Sequence, residues 1–100
     1  MEKIPVCLIG CGGMGERHIL AYKELERSGI GNLELVAVCD LREDNAERGA
    51  NEIERLFGTR PMVFTDLEKM LARDDIAAVD VVTDPSTHHS VAVPSLLAGK

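Results

Sequence analysis

Six residues near the amino terminus, Gly10-Cys11-Gly12-Gly13-Met14-Gly15, restrict this chain more than any other segment. They place a G-x-G-x-x-G spacing between a short apolar run, Ile4 to Ile9, and a longer stretch of helical composition. An apolar run that short and continuous suits a parallel strand buried on both faces. Between a strand and a helix each glycine has its own task. Gly10 permits a tight turn out of the strand, Gly12 lets the backbone approach a pyrophosphate, and Gly15 lets the helix pack without an intervening side chain. The N–H groups of Gly13, Met14 and Gly15 would then face phosphate oxygens, helped by the positive end of the helix dipole.

The rest of the chain repeats the alternation. Strands are expected at Ile4 to Ile9, Leu33 to Asp40, Pro61 to Thr65 and Ala78 to Thr83. Helices are expected at Met14 to Ser28, Glu43 to Phe57, Leu67 to Arg73 and about Thr87 to Ala98. The second helix carries an apolar stripe of Ala46, Ala50, Ile53 and Phe57 at helical spacing. Gly29 and Gly58 are suitable left-handed stops, and Asp66 suits the cap of the third helix. Pro94 falls inside the last helix and should kink it. This succession predicts an α/β fold, a Rossmann doubly wound parallel sheet with strand order 3-2-1-4. The expected division is residues 1–100 as the amino-terminal part of a dinucleotide-binding domain. Further strands are expected beyond Lys100.

Asp40 closes the second strand, twenty-five residues after Gly15. An acid there accepts hydrogen bonds from the adenosine ribose hydroxyls. The usual spacing is about 20 residues, and the turn from Ser28 to Asn32 absorbs the excess. A carboxylate at that place repels a 2′-phosphate, so NAD is expected over NADP. Arg42 complicates the choice, since its guanidinium could stack on adenine or pair with a 2′-phosphate. Thr83, followed by Asp84, ends the fourth strand at the carboxyl edge of the sheet, where open α/β folds bind ligands.

Charge and cysteine usage narrow the class of protein. The net charge is −6, with Lys and Arg scattered among acids, so the basic patch of a nucleic-acid binder is missing. The same balance argues against an anionic membrane surface. Cys7, Cys11 and Cys39 show no CxxC and no paired spacing, which suits free thiols in the cytoplasm.

With those residues in place, the chain resembles the glucose–fructose oxidoreductase/inositol dehydrogenase (Gfo/Idh/MocA) family over essentially its whole length. The likeness rests on Val6 to Gly15, His18, Val36-Ala37-Val38-Cys39-Asp40, and Phe64 to Leu71. Its most specific part is Val79-Asp80-Val81-Val82-Thr83 followed by His88 and Ala98-Gly99-Lys100. The resemblance implies an NAD(P)-dependent oxidoreductase acting on a sugar, cyclitol or similar polyol or carbonyl compound. It also implies a second domain that supplies most of the substrate site and a homo-oligomer interface. His88 is placed in the cofactor cleft, and its neighbour His89 is taken as a packing residue. The family's catalytic lysine motif would follow Lys100, so no catalytic residue is assigned. Where the family reads Thr-Pro, this chain reads Thr83-Asp84-Pro85.

Two other classes stay open at the level of sequence. One is a non-catalytic nucleotide-binding module or redox-sensing relative. The other, an S-adenosylmethionine methyltransferase, is disfavoured by three correctly spaced glycines.

Overall fold

The computed structural model of the chain describes residues 3–29, 32–83 and 85–100, with the side chains of residue 14 and residues 85–90 outside that description. Strands and helices alternate throughout: β1 (Ile4–Ile9), α1 (Gly13–Ser28), β2 (Leu33–Cys39), α2 (Glu43–Phe57), β3 (Met62–Phe64), α3 (Leu67–Leu71), β4 (Ala78–Val81) and α4 (Pro85–Leu97). The strands form one parallel sheet in the order β3-β2-β1-β4, as the pattern predicts. β1 lies at its centre, pairing Ile9 with Cys39 of β2 on one side and with Val81 of β4 on the other.

Successive side chains of β1 point to opposite faces, and two cores result. Val6 and Leu8 pack with Ile19 of α1 and with Ala46, Ala50 and Ile53 of α2. Cys7 and Ile9 pack on the other face with Met70 of α3 and Ile76. Three residues of the expected α2 stripe are buried, and Phe57 at its end is partly covered. α1 and α2 both end on a left-handed glycine, Gly29 and Gly58. Asp66 caps α3, accepting from the N–H groups of Glu68 and Lys69.

Boundaries differ from expectation where local chemistry outweighs the apolar pattern. β2 stops at Cys39 and β4 at Val81, because Asp40 and Thr83 already belong to the turns that form the rim of the sheet. α4 begins at Pro85, two residues earlier than expected; proline's fixed φ favours the first helical position, where its missing N–H costs nothing. The helix runs on through Pro94 to Leu97. Beyond it, the Lys100 ammonium donates to the carbonyls of Arg73 and Ile76, at 2.7 and 2.6 Å, tying the end of α4 to the turn before β4.

All three cysteines are free and buried. Burial, with the nearby Asp40 carboxylate, pushes the Cys11 thiol up to about 12 and that of Cys39 up to about 11. Cys7 is raised further by the same desolvation. Among the described residues, no helix is long and apolar enough to cross a membrane.

Candidate functional site

The turn from β1 into α1 is held from two sides. The Gly10 N–H donates to the Cys39 carbonyl at 2.9 Å, and the Val82 N–H donates to that of Ile9 at 2.8 Å. Gly10 has φ +95°, and a Cβ there would lie 2.6 Å from the Val82 carbonyl oxygen. Any side chain would therefore meet both an unfavourable backbone conformation and an immovable neighbour. At Gly15 a Cβ would stand 2.4 Å from the Gly10 carbonyl oxygen. The close approach that Gly15 permits is thus between helix and loop.

Gly12 differs in kind. Its backbone is extended, with φ −75° and ψ −160°, which any residue can adopt. A Cβ there would meet nothing within 4 Å, and the same holds at Gly13. The protein's own packing does not require a glycine at position 12, and the position borders open space. The first helical bond runs from the Glu16 N–H to the Gly12 carbonyl at 3.1 Å. The N–H groups of residues 13–15 lie above it without intrahelical acceptors, and no side chain caps this end.

Asp40 sits beside the loop, half-buried, and both its oxygens are engaged. Oδ2 accepts from the Cys11 N–H at 2.8 Å and Oδ1 from the Arg42 N–H at 2.9 Å. One carboxylate thereby fixes the glycine loop to the β2–α2 turn. A carboxylate offers about four acceptor positions, so two remain for ribose hydroxyls. Arg42 is exposed and turned toward Asp44, with Nε and Nη2 both 3.4 Å from its carboxylate; this contact holds the Asp44 carboxyl below its ordinary range.

These residues border a cleft of about 490 Å³ along the carboxyl edge of the sheet, lined by Gly10, Gly12, Asp40, Arg42, Val82 and Thr83 among others. The hydroxyl oxygen of Thr83 is buried and has no hydrogen-bond partner among the described residues. A buried hydroxyl left unpaired costs about 1–3 kcal/mol, and a ligand in the cleft would offer it a partner. Bare backbone at Gly12, donors at 13–15, acceptor capacity at Asp40 and the Thr83 hydroxyl together fit a dinucleotide. Of the other candidates, Asp84 and the side chains of Met14, His88 and His89 lie outside the described residues.

Two elements of this site were not read from sequence. Gly49 of α2 lies against the loop, where a Cβ would come 3.0 Å from the Cys11 Cβ. Its signal was a glycine within the stripe Ala46, Ala50, Ile53. Asp80, inside the apolar run of β4, accepts hydrogen bonds at one oxygen from His18 and Tyr22 of α1. A charge inside a buried strand signals a partner, although the sequence does not say which.

Strand, glycine loop and helix, with an acid after the second strand, define a Rossmann dinucleotide-binding unit. Residues 4–100 match the Gfo/Idh/MocA model, described as an oxidoreductase family with an NAD-binding Rossmann fold, and the chain belongs to that family. It is 40% identical to glycosyl hydrolase family 109 protein 2 of Phocaeicola vulgatus, covering 97% of this chain and 24% of that protein. Among solved structures it is similar to levoglucosan dehydrogenase in complex with NADH and L-sorbose, at TM-score 0.80 and 26% identity, over 100% of this chain and 26% of that one. It is also similar to a 3-ketoreductase variant from Actinomadura kijaniata in complex with NADP, at TM-score 0.77 and 29% identity, over 99% and 28%. The chain thus spans about a quarter of the length of the relatives described here.

Proposed function

We propose that this chain is the NAD-binding portion of an oxidoreductase that transfers hydride between a nicotinamide ring and a sugar, cyclitol or similar polyol or carbonyl substrate. The observation that carries the reading is Gly12, bare in an ordinary backbone conformation and open toward the cleft. The cofactor, when bound, supplies the hydride chemistry. The chain's own residues bind and orient it. N–H groups at 13–15 take the pyrophosphate, Asp40 takes the adenosine ribose, and the Thr83 hydroxyl meets the half that crosses β1 toward β4. His88 belongs to the same proposal on the family resemblance, and Asp84 belongs to it by its position directly after Thr83, where the chain departs from the family's Thr-Pro.

NAD is favoured over NADP by the Asp40 carboxylate, beside which a 2′-phosphate would sit. The Arg42 guanidinium, the group that would welcome such a phosphate, already faces Asp44. The substrate site, catalytic residues and oligomer interface are assigned to a further domain, on the family pattern. Buried, reduced thiols support a cytoplasmic location. Calorimetric titration of the chain with NADH and NADPH tests the reading. NADH should bind with the lower Kd; tighter binding of NADPH would contradict the role given to Asp40.

A further inference from the structure

The cluster His18, Tyr22 and Asp80 joins two parts of the chain that the cofactor reading does not connect. His18 and Tyr22 stand four residues apart on α1, on one face of that helix. Asp80 lies in β4, in register with Leu8 of β1. The His18 Nδ1 is 2.8 Å from Asp80 Oδ2, and the Tyr22 hydroxyl donates to the same oxygen at 3.1 Å. A carboxylate only accepts, so the imidazole donates through Nδ1. The cluster is partly buried, with side-chain exposure of 39% at His18 and 22% at Asp80. Among the described residues, no other side-chain hydrogen bond links α1 to β4.

Its place in the fold connects it to the cleft. His18 lies one turn beyond Gly15, on the helix whose first turn presents the N–H groups of residues 13–15. Asp80 lies three residues before Thr83, on the strand that leads to the far wall of the cleft. Sheet order puts Asp40 of the β2 side and Thr83 of the β4 side on opposite sides of β1. A ligand that reaches both must cross the glycine loop.

Resting on the reading that the cleft holds a dinucleotide, we propose that Asp80 is a positioning residue for the cofactor. Through His18 and Tyr22 it holds the start of α1 in register with the Thr83 end of β4. Ligands that touch both walls depend on that register. A mononucleotide occupying only the Asp40 side does not.

The test compares NADH with AMP by calorimetric titration of the full chain and its variants. His18→Ala and Asp80→Ala should each weaken NADH about tenfold, as loss of a hydrogen bond to a charged group would. AMP affinity should stay within about twofold. The double variant should bind NADH no worse than either single one, because the two side chains act as one unit. His18→Asn, which can place an amide N–H near the Nδ1 position, should restore most of the loss. Tyr22→Phe removes one hydroxyl only and should give a smaller loss of NADH binding in the same direction, whether or not the alanine variants fold. Parallel losses of NADH and AMP, unchanged NADH affinity, or additive effects would overturn the proposal. Failure of the parent chain to bind NADH would instead strike the cofactor reading itself.

Discussion

At the scale of single residues, Asp40 shows how structure can enlarge a role that sequence assigns. The place of the acid after β2 was legible from sequence, and the role proposed for it is that of a ribose acceptor that disfavours a 2′-phosphate. Its bonds to the N–H groups of Cys11 and Arg42 were not legible, because both are backbone contacts that no residue pattern records. Asp40→Ala should therefore do two things. Losing the ribose contact and the loop anchor should weaken NADH by at least tenfold, since each bond to a charged group contributes about 1.5–3 kcal/mol. Removing the repulsion should also narrow the gap between NADH and NADPH. Titration of both cofactors reads the two effects separately, and an unchanged ratio would remove the selectivity role. The glycines divide in the same way. G-x-G-x-x-G was fully visible in sequence, yet only the structure separates Gly10 and Gly15, required by the fold, from Gly12, which the fold does not require.

At the scale of elements, helix and strand succession was readable because the apolar periods are clean, and the ends were less so. β2 and β4 end short of Asp40 and Thr83 because those residues serve the rim, a tertiary fact. Gly49 was hidden for a related reason: its significance depends on α2 meeting the glycine loop. Gly49→Ala should gain about 1 kcal/mol of helix propensity. Against this stands a Cβ 3.0 Å from the Cys11 Cβ and 3.1 Å from its Sγ. The Cys11 backbone is held by Asp40 and cannot yield easily, so overpacking of about 1–3 kcal/mol should win. The expected result is a lower Tm in thermal melts; a raised Tm would show that the loop can move aside.

The buried thiols of β1, β2 and the loop add a pH dependence. Their folded values are raised above the ordinary 9.0, and Tyr22 is raised by burial and by Asp80. Above about pH 9 the unfolded chain loses these protons while the folded chain keeps them. Stability is therefore fully present below that pH and falls as pH rises toward 11 and 12, the values for Cys39 and Cys11. Melts across this alkaline range should show a steadily falling Tm. A flat profile would mean that the thiols are not desolvated as described.

At the scale of the whole molecule, two cores close over both faces of a four-stranded sheet among the described residues, and the cleft lies where the turns around β1 converge. That arrangement was legible because strand order follows from the βα succession. What was not legible is how α1 is tied to β4, since His18 and Asp80 are 62 residues apart and nothing local pairs them. Leu96 and Leu97 of α4 are 73% and 84% exposed, and the relatives described here are about four times as long. On the proposed function, this chain binds the cofactor and the substrate chemistry is assigned to a further domain. In the proposed function the cofactor's pyrophosphate lies against the open face of Gly12. The most direct test is NADH titration of Gly12→Ala beside the parent chain, with a melt of each. An unchanged Tm with loss of NADH binding is expected; NADH binding as tight as the parent's would contradict that placement of the pyrophosphate.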